Sequence, residues 1–210
     1  MHPIFGNRTA RVLRKIDNAL WERRLRILTR GTYRKEGASQ SMPAEQHYYA
    51  TVPYRAIFRI LTFLSIKPSD VFVDLGCGKG RVVCCAATYD IAEAIGIEYV
   101  ESLCDSARHN AQRVRRKKAP VSILCSRAEE FDFTRGNLFY LFNPFGPATM
   151  KRVLDGLREG ISARTRAVTV IYVNPVHEDL LAGTPWLRCY ARLPDPDLSE
   201  FRATSLWISY

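Results

Sequence analysis

No CxxC pair occurs in the sequence, and its cysteines share no metal-ligand spacing with its few histidines. The cysteines are Cys77, Cys84, Cys85, Cys104, Cys125 and Cys189, and the histidines are His2, His47, His109 and His177. A zinc site is therefore not expected. Most of the cysteines fall in predicted strands or on apolar helix faces, which predicts buried free thiols in a reducing compartment. Long apolar runs are missing too. Even Ile57–Ile66 is short and interrupted by Arg59 and Thr62, so no transmembrane segment is expected. The N-terminus lacks the apolar core of a secretory signal. It is Arg-rich, as an organelle transit peptide would be, but Asp17 and Glu22 count against that reading. The expectation is a cytoplasmic protein, with peripheral attachment to a membrane left open. There is no internal repeat.

What the chain does have is a basic front end. The net charge is +10, yet residues 1–36 hold ten Lys/Arg against Asp17, Glu22 and Glu36. The remainder is close to neutral. Residues 8–30 alternate basic and apolar at helical spacing, with Leu13, Ile16, Leu20 and Leu28 toward one side and Trp21 beside them. Such a helix suits an anionic membrane, a nucleic acid, or a lid across the domain. It equally suits a solvated helix packing its apolar stripe on the body. Gly31–Pro43 reads as a linker. The predicted organisation is a basic helical extension and linker at 1–45, then one α/β domain at 46–210, a length ample for a full core.

From Gln46 the pattern becomes regular. A helix-like segment to Ile66 is interrupted at Val52-Pro53, where proline biases the chain out of helix. Strands are predicted at Val71–Leu75, Ala94–Glu98, Val121–Cys125, Leu138–Phe142 and Val168–Val173. Helices are predicted at Arg81–Thr88, at Val100–Arg113, and around Met150, Val153, Leu154 and Leu157 after Pro147. A short helical turn near Val176–Leu181 precedes a hairpin of Trp186–Leu193 and Ala203–Tyr210. Alternation through five units demands a parallel sheet with right-handed crossovers.

The chain is organised around Val71-Phe72-Val73-Asp74-Leu75-Gly76-Cys77-Gly78-Lys79-Gly80-Arg81. It reads as strand, glycine-rich turn, helix, the arrangement that brings backbone close to a nucleotide-like ligand. A dinucleotide fingerprint places its third glycine three residues after the second. Arg81 stands there instead, and Gly80 comes early. Asp74 before the turn suits a ligand with a cationic amino group better than a pyrophosphate.

The spacing D-x-G-x-G-x-G resembles motif I of class I S-adenosylmethionine-dependent methyltransferases. The resemblance runs over residues 47–180 and also rests on Tyr49-Ala50-Thr51-Val52-Pro53-Tyr54, Gly96-Ile97-Glu98, Leu141–Gly146 and Tyr172-Val173-Asn174-Pro175. It implies a Rossmann-like, seven-stranded, mostly parallel sheet with helices on both faces and a C-terminal antiparallel hairpin. It also implies S-adenosyl-L-methionine as cofactor. Gly76, Gly78 and Gly80 would let the backbone approach it, with donors from the following helix N-terminus. Asp74 would accept from its ammonium, and Glu98, next to Tyr99, from its ribose hydroxyls. Tyr49, Thr51 and Tyr54 would cap the cofactor and line the acceptor cleft. Similar methyltransferases carry Asp where Arg127 stands. Arginine is a donor only, so backbone at Arg127 and Ala128, or the Glu129 carboxylate, would fix the adenine.

Asn143-Pro144-Phe145 at the fourth strand end resembles motif IV of amino-methylating enzymes, and is similar to that of the non-SET histone-lysine methyltransferases. There the Asn side chain and a following carbonyl accept from the target amine, freeing its lone pair for attack on the methyl group. Tyr172, Asn174 and His177 would approach from the fifth strand. His177 is a candidate general base, although aligned transfer to a neutral amine hardly needs one. The expected function is N-methylation of an amine, with protein lysine favoured and nucleic acid or a small molecule as other acceptors. The alternatives are nucleic-acid methylation, prompted by the basic helix and Arg113–Lys118, and a non-catalytic cofactor-binding or membrane-surface protein on the same scaffold. Residues 8–30 are the candidate contact with an anionic surface.

Overall fold

The computed structural model describes residues 6–31, 51–163, 167–194 and 203–210. The first half runs α1 (Gly6–Leu25), α2 (Tyr54–Phe63), β1 (Val71–Leu75), α3 (Arg81–Ala86), β2 (Glu93–Glu98) and α4 (Glu101–Arg113). The second runs β3 (Val121–Cys125), β4 (Leu138–Phe142), α5 (Pro147–Ser162), β5 (Thr169–Val173), α6 (Glu178–Ala182), β6 (Leu187–Leu193) and β7 (Thr204–Ser209). Single 3-10 turns at Ala128–Glu130 and Phe133–Arg135 lie between β3 and β4. These turns have no periodic signal in the sequence.

The sheet order is β3-β2-β1-β4-β5-β7-β6. Strands β1 to β5 pair in parallel, and β7 runs antiparallel between β5 and β6. This is the expected Rossmann-like sheet closed by a hairpin. Because side chains alternate along a strand, each strand feeds two cores. Phe72, Ala94, Tyr140 and Ile171 meet α2 and α3 on one face. Val73, Ile95, Phe139 and Val170 meet Met150, Val153, Leu154 and Leu157 of α5 on the other. Pro147 occupies the first turn of α5, where its missing N–H costs nothing.

Two expectations are corrected. Cys104 of α4 and Cys125 at the end of β3 are paired as a disulfide, with their Cα atoms 5.8 Å apart, a normal bridging distance. Cys77, Cys84, Cys85 and Cys189 are free. Packing of α4 on the β2–β3 edge brings the pair together, which a 21-residue separation does not announce.

The helix predicted over 8–30 ends at Leu25, because Arg26 takes a left-handed φ of 59°. The Glu22 carboxylate then recaptures the chain, accepting from the Thr29 and Arg30 amides at 2.8 and 2.9 Å. Leu25 and Ile27 sit in the same core as α2 and α3. Leu13, Ile16, Leu20 and Leu28 are exposed, which sets aside the reading in which that stripe packs on the body. The body therefore takes in residues from the predicted extension, while the predicted stripe faces solvent.

Candidate active site

The strand order reverses between β1 and β4, and the two loops leaving that point carry the glycine motif and the Asn-Pro turn. They touch. A Cβ placed on Gly76 would lie 2.5 Å from the Pro144 Cβ, and Gly76 has a φ of 85°. Only glycine meets both conditions. Gly76 is exposed while Leu75, Cys77 and Gly78 around it are buried, so its backbone forms an open floor at the sheet edge.

Four of the loop's amides are already committed. Gly76 and Cys77 both donate to the Ile97 carbonyl at 2.9 Å, and Gly80 donates to that of Cys77 at 2.8 Å. Gly78 donates to Glu98 Oε2 at 3.0 Å. These loop amides hold the turn together, and what the turn offers a ligand is close approach of its backbone. Glu98 is buried, and its Oε1 also accepts from the Tyr99 and Val100 amides at 2.9 and 3.0 Å. One acid therefore fixes both the loop and the β2 exit, and its carboxylate has lone-pair capacity for further donors. The Tyr99 side chain is mostly exposed.

Asp74 lies fully buried at the end of β1. Burial, helped by the Glu98 charge, pushes its carboxyl up to about 8, against a bond from the Val83 backbone. Without a cationic partner it is protonated at neutral pH, and an ammonium brought beside it would favour the ionised form. A cationic amino group on a ligand is the natural complement.

Asn143 is the second focus. It is buried and left-handed, with φ 41°, and Asn174 repeats the geometry at the end of β5 with φ 49°. Asparagine tolerates this conformation better than most residues. The fully buried Tyr172 donates from its hydroxyl to Asn143 Oδ1 at 3.3 Å and accepts from the His177 amide at 3.3 Å. Burial raises the Tyr172 phenol to about 12, so it stays a neutral donor at working pH. His177 serves through its backbone and caps α6. Pro144 and Phe145 are half-buried beside the turn.

Other expected site residues fall elsewhere. Tyr49 lies outside the described residues. Thr51 is half-buried. Tyr54, expected at the acceptor cleft, is fully buried instead: its hydroxyl bonds Thr29 Oγ1 at 3.1 Å, and its ring lies between Trp21 and the Arg81 guanidinium. Arg127 is exposed, and Ala128 opens the 3-10 turn after it. The Glu129 carboxylate pairs with Arg152 at 3.0 Å.

Arg81 has a role that its place in the motif did not suggest. Its buried guanidinium donates to Thr29 Oγ1 at 2.7 Å and to the Val52 carbonyl at 3.0 Å, and lies 3.6 Å from Glu22. Lys79 reaches the Arg30 carbonyl at 3.1 Å. Asn110 of α4 bridges Leu28 and Lys79. The strap 26–31 is thereby fastened along the outside of the glycine loop. The lone acid Glu22 among arginines was the available signal.

The sheet order, the glycine turn at its switch point and the acid at the end of β2 define the class I S-adenosylmethionine-dependent methyltransferase fold. More particularly, the family model for the histone methylation protein DOT1 matches residues 40–140. The chain is 26% identical to the histone H3 lysine-79 specific N-methyltransferase of Dictyostelium discoideum, over 52% of this chain and 7% of that protein. It is 29% identical to a protein-lysine N-methyltransferase of Saccharolobus islandicus, over 31% of this chain and 41% of that one. It thus spans less than half the length of each of these relatives. An RNA methyltransferase of Salinibacter ruber, solved with S-adenosyl-L-homocysteine, superposes with a TM-score of 0.56 at 19% identity, covering 76% of this chain and 92% of that one.

Proposed function

We propose that the protein binds S-adenosyl-L-methionine across the glycine turn and methylates an amine, with a protein lysine as the acceptor. The observation that carries this reading is the Asn143 turn, set against the cofactor loop through the Gly76–Pro144 contact and aimed by Tyr172. When bound, the cofactor supplies an electrophilic methyl group. Asp74 and Glu98 would hold its amino-acid and ribose portions, and exposed Gly76 would lie beneath it.

Asn143 acts on the acceptor. Tyr172 occupies one lone pair of Oδ1, and the second can accept an N–H from an incoming amine. That bond orients the nitrogen and leaves its lone pair facing the cofactor loop. Fixing both partners lowers the entropic barrier without a strong base, in keeping with His177 being engaged through its backbone. The lysine methyltransferases among the relatives support the amine acceptor.

The test is transfer of a tritiated methyl group from the cofactor to cell extract, with the product resolved by mass and challenged with protease and nuclease. Protease-sensitive label that disappears in Asn143→Ala, with cofactor affinity retained, is expected. Nuclease-sensitive label, or full turnover by Asn143→Ala, overturns the assignment.

A further inference from the structure

Helix α1 has two apolar faces, and among the described residues only one of them is packed. Trp21 and Leu25, four residues apart, turn inward against α2 and its neighbours. On the opposite side Val12, Leu13, Ile16 and Leu20 follow the i, i+3, i+4 spacing of a single helical face. They are 55%, 64%, 51% and 61% exposed. Leu28, beyond the helix, is exposed as well. Four large aliphatic side chains in a row on an outer surface are costly in water and mark a contact.

The charge around this face names the partner. Lys15, Arg23, Arg24 and Arg26 are exposed along and beyond the helix. Its acids are turned to internal use: Asp17 accepts from Arg55 at 3.0 Å, and Glu22 is buried with Arg30 and Arg81. The Arg115 amide donates to the Leu25 carbonyl at 2.8 Å. That bond brings the exposed Arg113, Arg115, Arg116, Lys117 and Lys118 to the C-terminal end of α1. No helix is long and apolar enough to cross a membrane among the described residues. A second copy of the chain would set like charges against each other. A nucleic acid would answer the cations and leave the aliphatics in water. Only an anionic bilayer surface offers hydrocarbon and phosphate together.

We propose that the outer face of α1, with the cations at 113–118, is a docking surface for an anionic lipid bilayer. The aliphatic side chains enter the headgroup–acyl boundary and the arginines and lysines meet lipid phosphates. The inner face of α1 stays on the body throughout.

Flotation of the full chain with vesicles tests this. Binding to phosphatidylcholine vesicles carrying a minority of phosphatidylglycerol, weakened by salt and nearly absent with phosphatidylcholine alone, is expected. Arg23→Gln with Lys117→Gln should weaken binding about twenty-fivefold, at about fivefold for each surface cation. Leu13→Ser with Ile16→Ser and Leu20→Ser should weaken it by at least about tenfold, while the unfolding midpoint and cofactor affinity stay unchanged. Three results each overturn the proposal: no flotation, equal flotation with both vesicle types, or full binding by the serine variant. A dimer in solution that the serine variant dissolves would assign the face to a second copy instead. Methyl transfer is not read in this experiment, so its failure is distinct from failure of the proposed reaction.

Discussion

Replacing Arg81 by methionine removes one guanidinium and keeps most of the side-chain bulk. Its attachments go with it, chiefly the 2.7 Å bond to Thr29, the 3.0 Å bond to the Val52 carbonyl, and the charge 3.6 Å from Glu22, together with the stacking on Tyr54. Leaving a buried carbonyl unpaired costs about 1–3 kcal/mol. Stranding a buried ion altogether costs about 3–5 kcal/mol. Glu22 is not wholly stranded, because Arg30 Nε at 2.9 Å and the Thr29 and Arg30 amides still face it. The expected loss is therefore about 3 kcal/mol, near the lower end of the ion-pair range. Urea unfolding measures it, with an unchanged slope showing that compactness is preserved. Pairing Arg81→Met with Glu22→Gln should recover about 1–2 kcal/mol relative to the sum of the single changes. Cofactor affinity should fall in the single variant, since Val52 anchors the segment carrying Thr51. A loss under about 1 kcal/mol, or strict additivity, would refute the idea that this pair binds strap to loop.

Asp74 gives a pH prediction. Its native carboxyl titrates near 8 against an ordinary 3.8, so between those values the folded state holds a proton that the unfolded state has released. Stability should fall as pH rises from 4 to 8 and level off above; Asp74→Asn should lack this decline in urea titrations, and an identical slope would count against it. Calorimetry at neutral pH in buffers of different ionisation enthalpy should show proton release from Asp74 when S-adenosylmethionine binds, and release undiminished in Asp74→Asn would contradict the assignment. Tyr172→Phe should lower kcat about tenfold by freeing Asn143, with cofactor affinity unchanged and about 1 kcal/mol of stability lost. Gly76→Ala places a methyl 2.5 Å from Pro144 at a φ of 85° and should abolish cofactor binding in calorimetry even where the chain still folds.

Much of the sheet was legible because its strands are short apolar runs ended by turn residues. Val121–Cys125 and Leu138–Phe142 match their predicted limits, and β5 begins one residue late, at Thr169. Asp74, Glu98 and Asn143 were legible as strand-end residues for the same reason: the end of a parallel strand fixes where its last side chain stands. What escaped depended on contacts between distant segments. Nothing in the local pattern at Tyr54 distinguishes a cleft tyrosine from one sealed between Trp21 and Arg81. Periodicity finds an amphipathic helix but does not say which stripe turns inward. For α1 the shorter stripe of Trp21 and Leu25 does so, because Glu22 between them is held by Thr29 and Arg81. Phe133 likewise fits against Gly156 and Gly160 of α5, where any larger residue would collide; that notch is visible only after the helix is docked.

The abutment of Gly76 on Pro144 also bears on how such a protein can diverge. A catalyst whose cofactor and acceptor pockets were separate could exchange one while the other drifted freely. Here the turn proposed to face the acceptor is also a wall of the turn proposed to face the cofactor. New acceptor preferences are accordingly expected from the periphery, at Phe145, around Tyr172 or in segments leading to Thr51, while the two abutting backbones change together or not at all. Grafting the Asn143–Gly146 turn from another enzyme would transplant a fitted joint, and its success would depend on importing the matching glycine loop as well.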